Sequence, residues 1–406
     1  MRIAWLLLAG LIVASCATAP IETRTAYVNG WVFDGAAFHR RDLIVAGERF
    51  VSGEARRGDV QIDLAGGYVI PPLCEAHNHN LGAAAGNEEA IAAYLRDGVF
   101  YVGILSNLPA LTAPNRALYN RADSVDVVFG NGGLTATGGH PIPLRHFLLE
   151  RGAYPGFTRE SLADHSYFVI DNGDDLDRRW PLITSFAPDF IKIFLLFSEE
   201  YAARRDDAQF EGQRGLDPAL VPAIVARAHA EGLRVFAHVE SGHDFHVAIA
   251  SGVDVIAHLP GNQFPTRIDP ADARRAAQRD VPVITSVSLV ERASRRPRYA
   301  ALRAAQADNL RVLREAGVRI VIGSDEPGDT SVREAASLRA LNVLNNAELL
   351  NAWTRDCART LFPERRLGVL APGYEASFLV LANDPLADLT ATGVIRRRVK
   401  QGASLD

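Results

Sequence analysis

Lysine is almost missing from this chain. Of its 43 basic residues only two, Lys192 and Lys400, are lysine, and the other 41 are arginine. Cysteine is scarce too, with three in 406 residues, and their wide spacing gives no ground for pairing any two of them. No basic block exceeds Arg396–Arg398 and the net charge is −5, so nothing points to nucleic acid as a partner. Repeats and low-complexity tracts are absent, which excludes solenoids and disordered scaffolds. The most apolar run, Ile3–Val13, is too short to span a bilayer comfortably.

That run has the form of a targeting segment. Arg2 precedes it, and Val13, Ala14 and Ser15 lead to Cys16. Small residues before a cysteine resemble the bacterial lipoprotein signal. The resemblance implies that residues 1–15 are removed, that Cys16 carries a lipid, and that 16–25 form a tether. The expected location is the periplasm, at the outer membrane because Ala17 rather than Asp follows the cysteine. Cys74 and Cys357 then remain, and both are read as buried small hydrophobes.

What is present is an ordinary globular balance, 48% hydrophobic and 22% charged. From Ile70 onward, apolar β-like runs alternate with helical stretches. The strands expected after the first are Val99–Leu105, Val125–Phe129, Phe190–Leu196, Arg234–Val239, Val253–Ala257, Val281–Val287 and Arg319–Ile322. Helices are expected at Pro218–Glu231, with Asp217 as its cap, at Ala301–Ala316, and near Ala347–Leu361. Eight strand–helix units predict an α/β fold, a (β/α)8 TIM barrel over 70–365. Short β-like runs in 26–69 and 366–402 predict a small flanking β-sandwich built from both chain ends.

Lys192 stands inside the fourth of these strands. A buried ammonium is costly, and a chain that writes nearly every cation as arginine keeps an amine where an amine is needed. Arginine cannot give up its proton; lysine can, and then reacts as a nucleophile. Around it, potential metal ligands close the other strands: His77 and His79 on strand one, His238 on five, His258 on six and Asp325 after eight. In a parallel barrel these ends share one rim. His77 and His79, two apart, point to one side, Glu75 points with them and Cys74 away. Glu75 is read either as a partner orienting a ligand histidine or as a structural acceptor.

Together these residues resemble the amidohydrolase superfamily, its binuclear imidazolonepropionase-like and dipeptidase-like members. Thr135–His140, the run Gly215–Gly261, and Leu367–Gly368 through Asp384–Leu386 extend the likeness. The chain departs from the family pattern at Glu75, usually Asp, and at Ser377, where Ala-Asp is usual. The resemblance implies that Lys192 is carboxylated by CO2 and bridges two divalent ions, zinc by the chemistry of the donors. It assigns His77, His79 and Asp325 to one ion and His238 and His258 to the other. A bridging hydroxide attacks the substrate carbonyl, Asp325 shuttles the proton, and His140 steadies the developing oxyanion.

The expected activity is hydrolysis of a C–N amide bond in a small molecule, a dipeptide or N-acyl amino acid. A cyclic amide, lactone, ester or carbamate, or a non-catalytic metal-binding lipoprotein, are the alternatives. Specificity is expected in 106–188, 197–215 and 261–270. Arg204, Arg205 and Arg214 are candidates to bind a substrate carboxylate but are read as surface arginines, and His243, His246, His39, His146, His165 and His229 as surface or structural. A homo-oligomer is left open.

Overall fold

Short, mostly apolar strands of two to six residues, buried on both faces, pair side by side in the centre of the molecule. The computed structural model describes residues 23–295 and 297–406, so Cys16 and the segment before it lie outside the described residues. One parallel sheet joins Leu73–Asn78, Val99–Ile104 and Asp126–Phe129. A second runs Tyr167–Val169, Gly133–Thr135, Ile191–Phe194, Val235–His238, Val255–Ile256, Val283–Ile284, Ile320–Val321. Nearly every residue in them is buried, as in strands covered on both faces. Backbone bonds link the two sheets: Ala76 N–H donates to Ile322 O (3.0 Å), and Asp189 N–H to Phe129 O (2.9 Å).

The third expected strand is longer than its pattern and bent. It continues past Gly130–Gly132 as Gly133–Thr135, which pairs with the strand of Lys192. The glycines allow the bend because a Cβ on Gly130 would sit 2.6 Å from Leu105 O. Tyr167–Val169 is an added strand beside it, within the long segment where decoration was expected.

Helices cover the sheets. Asp217 accepts from Ala219 N–H and opens a 3-10 turn, Pro218–Leu220, that leads into Val221–Ala230. Tyr299–Ala316 ends at Gly317, whose φ of 77° closes the helix. The helix expected near 347–361 is two, Asn346–Trp353 and Arg355–Leu361. Thr354 between them leaves helical geometry and turns its hydroxyl back to Leu350 O. No helix among the described residues is long and apolar enough to cross a membrane.

The chain ends combine beside this core. A six-stranded sheet interleaves N-terminal strands with Phe378–Leu381 and Ile395–Lys400, and a four-stranded sheet holds Arg24–Val28. Tyr27, Phe50 and Phe378 share one apolar cluster, with Tyr27 edge-on to Phe378 at 4.8 Å.

One expectation is overturned. Cys74 and Cys357 are not separate hydrophobes but a buried disulfide, Cα–Cα 5.9 Å, spanning 283 residues. The reason is the parity of the first strand. Glu75 and His77 take the inner side, so Cys74 faces the covering helix Arg355–Leu361, and Cys357 stands on that helix.

Candidate functional site

Because the strands run parallel, their C-terminal ends converge, and the six residues singled out on them meet there. Asp325 is central. Its Oδ1 lies 3.0 Å from His79 Nε2 and 3.7 Å from His77 Nε2, and its Oδ2 lies 3.7 Å from His258 Nε2. The His258 ring centroid is 4.4 Å from that of His77 and 4.4 Å from that of His238. Lys192, 1% exposed, lies in the strand Ile191–Phe194, paired with the one that ends at His238.

Backbone carbonyls orient the first two rings. His77 Nδ1 donates to Ala257 O and His79 Nδ1 to Ser106 O, both at 2.8 Å. A carbonyl only accepts, so each ring carries a proton on Nδ1 and turns Nε2 toward Asp325. Glu75 does not orient a histidine ring. It accepts from His77 N–H, Ser324 N–H and the Ser324 hydroxyl, tying the first strand to the loop that carries Asp325. Burial pushes its carboxyl up to about 8.

The charges follow from burial. Lys192 falls to about 7 because burial disfavours its ammonium, with Asp325 opposing. His77, His238 and His258 are held well below the ordinary imidazole value, first by burial and then by neighbouring charge. Burial pushes Asp325 up, but its hydrogen bond to His79 and the charges of His79, His258 and Lys192 leave it below the usual carboxylate value.

These residues fit a bound cation. Lys192 Nζ, His238 Nε2 and His258 Nδ1 are buried and have no hydrogen-bond partner. An orphaned buried nitrogen is expensive unless something satisfies it. His77, His79 and Asp325 bring one atom each within 4.8 Å of one another, two imidazole nitrogens and a carboxylate oxygen that suit a cation between them.

His140 also reaches the site. Its ring stacks on His238 (5.0 Å, 29°) and meets Phe194 edge-on at 5.3 Å. Burial lowers it to about 4, with Asp325 opposing and Arg145 adding to the effect. Other histidines stay outside: His243 and His246 are exposed on Gly242–Ser251, the latter facing Asp272, and His39 and His229 pair with Asp34 and Asp254. His146 meets Tyr167, and His165 Nδ1 donates to Ala163 O.

The surface reading fails for two arginines. Arg214 is buried and donates to the carbonyls of Thr137, Arg204 and Asp207, and Arg204 is buried between Phe197 and Phe210. They brace the loops around His140, while Arg205 remains exposed beside Asp206. Ser106 and Arg145 went unremarked in the sequence. Arg145 stands five residues after His140 on Ile142–Glu150, and that nearness to a candidate site residue is the signal that points to it.

The amidohydrolase family's model matches residues 175–392, more than half of the chain. A solved Xaa-Pro dipeptidase with methionine bound in its active site aligns with TM-score 0.75 and 18% identity, covering 94% of this chain and 99% of its own. Ochratoxinase of A. niger aligns with TM-score 0.73 and 17% identity (95% and 96% covered), and phenylurea hydrolase B with 0.68 and 17% (95% and 97%). These likenesses establish a TIM-barrel-type α/β fold. A search of curated proteins found no match.

Proposed function

Because the chain belongs to the amidohydrolase family, we propose that it hydrolyses a C–N amide bond with divalent metal ions, acting on a dipeptide or N-acyl amino acid. The observation that carries this proposal is the Lys192 amine, buried, unpartnered and lowered to about 7 among histidines whose buried nitrogens are also unpartnered. Neighbours of the same fold named for dipeptides and phenylureas support a substrate cleaved at a C–N bond.

His77, His79 and Asp325 would hold one ion and His238 and His258 the other, with Lys192 spanning both as a carbamate. The neutral amine adds to CO2: an N–C bond forms, one C–O π bond opens onto oxygen and one N–H proton leaves, which turns a neutral amine into a two-oxygen anion. Imidazole and carboxylate donors suit zinc. When bound, such ions polarise the scissile carbonyl and acidify a water. Asp325 takes the proton of the attacking water and returns it to the leaving nitrogen. His140, neutral at physiological pH, donates its N–H to the developing oxyanion. Purified protein should carry about two metal ions per chain and turn over members of a dipeptide and N-acyl amino acid panel. Metal-replete protein that cleaves only esters or lactones would overturn the C–N assignment.

The mature chain begins at Cys16, is lipid-anchored there, and works in the bacterial periplasm at the outer membrane. The Cys74–Cys357 disulfide supports an oxidising compartment. Mass spectrometry of the mature N-terminus should show a lipid on Cys16, and an unmodified Ala start would refute the anchor.

A further inference from the structure

Arg145 has a full charge, a buried position and no anion. Its residue is 8% exposed. Nη1 donates to the Tyr154 hydroxyl at 2.7 Å and Nη2 to the Ser106 hydroxyl at 2.6 Å, both neutral acceptors. Nε is buried and has no partner. Among the described residues, no carboxylate lies within ion-pair distance of this guanidinium, and its buried Nε is unpartnered, unlike that of Arg214, which is equally enclosed. Arg214 spends its donors on three carbonyls, and Arg365 on two carboxylates. A buried charge without a counter-charge is costly, and a guanidinium whose donors are underused fits a group that an anion completes on binding.

Its place says which anion. Ser106 takes the Arg145 hydrogen bond on its hydroxyl and the His79 ring on its carbonyl, so a single residue separates the guanidinium from the site. Arg145 also lies on the helix that follows His140, and its charge reaches the His140 ring. The helix that follows the His140 loop therefore holds a guanidinium, its Nε unpartnered, one residue away from the site, and a planar guanidinium matches a carboxylate.

We propose that Arg145 is the receptor for a free carboxylate on the substrate, so that the site selects acyl amino acids and peptides ending in a carboxylate over neutral amides, ureas and esters. This rests on the hydrolase proposal above for its meaning but not for its test. Arg145 is here a specificity-determining residue, and holding Ser106 and Tyr154 is the part of its role that a merely structural arginine would share.

The test is equilibrium binding to the metal-replete full chain of two probes without a cleavable bond, N-benzyl-L-alanine and N-benzyl-L-alaninol, by titration calorimetry. The acid should bind at least about tenfold more tightly than the alcohol, the range of a charged hydrogen-bonded pair. In Arg145→Gln that ratio should fall to within about twofold of one. Equal binding of the two probes to the native protein, or an unchanged ratio in Arg145→Gln, overturns the proposal. If melting curves show that the glutamine variant does not fold, Arg145→Lys carries the test, because a point charge replaces the fork. A ratio below the native one supports the receptor, and an unchanged ratio rejects it. Turnover is scored separately. A collapsed ratio with no amide hydrolysis by the native protein keeps the carboxylate receptor and removes the hydrolase.

Discussion

The backbone N–H of Asp325 donates to the carbonyl oxygen of His77 across 2.7 Å. Asp325 is thereby held in a left-handed conformation, φ 54°, that points its carboxylate between the histidines of the first and sixth strands. Asparagine tolerates this conformation as aspartate does; alanine pays about 1–2 kcal/mol for it. Asp325→Asn should therefore melt close to the native temperature while kcat falls about 10²–10⁴-fold, the range of a lost acid–base group. Asp325→Ala should lose both activity and melting temperature. Paired kinetics and thermal melts check this.

The two lysines should fail in opposite ways. Lys400 is fully buried, and its ammonium donates to Arg121 O, Ser124 O and Asp126 Oδ1, each at 2.6 Å. Lys400→Met strands those acceptors and should cost about 3–5 kcal/mol of stability by denaturant titration, with kcat unchanged. Lys192→Arg should leave the fold standing but reduce bound metal below two ions per chain and abolish turnover, read by elemental analysis. Native-like activity in Lys192→Arg would reject the carbamate.

Carbamate formation should follow the Lys192 amine. Burial brings it from 10.5 to about 7, and only the neutral amine adds CO2. Metal-free, CO2-depleted protein given metal under one fixed CO2 partial pressure should recover activity faster as the pH rises through about 7, with the gain levelling off above about 8. An ordinary lysine would still be gaining two units higher. Stability of the metal-free protein has the same sign. Between about 7 and 10.5 the unfolded chain holds a proton that the folded amine has released, so raising the pH favours folding. The difference in melting temperature between native protein and Lys192→Met isolates this contribution.

The disulfide should be worth measuring by its removal. Cys74→Ala with Cys357→Ala should lower stability by about 2–5 kcal/mol. Thiol titration of the unfolded, unreduced native protein should find neither cysteine free.

Much of the site is legible in the linear pattern because a parallel sheet puts reactive groups where apolar runs stop. His238 and Asp325 can be located from the runs that precede them, without knowing how those runs pack. The Cys74–Cys357 pair cannot, since it depends on which helix lies behind the first strand, 283 residues later. Lys400 follows Arg396–Arg398 and Val399, and nothing in that run marks it as buried; only the packing of the chain ends against Asp126 buries it. Arg145 is one arginine among 41, distinguished by a buried Nε without a partner, and that is a property of its neighbours rather than of its sequence.

The Cys74–Cys357 bond also makes the chain between those residues a closed ring. A protease that cuts one exposed loop inside it opens the ring without releasing a fragment, and both pieces keep the covalent link three residues from His77. Cleavage before Cys74 has no such protection. A single nick in the ring would thus be visible on a gel only after reduction, and the strand bearing His77 and His79 would stay fastened to the last helix of the core.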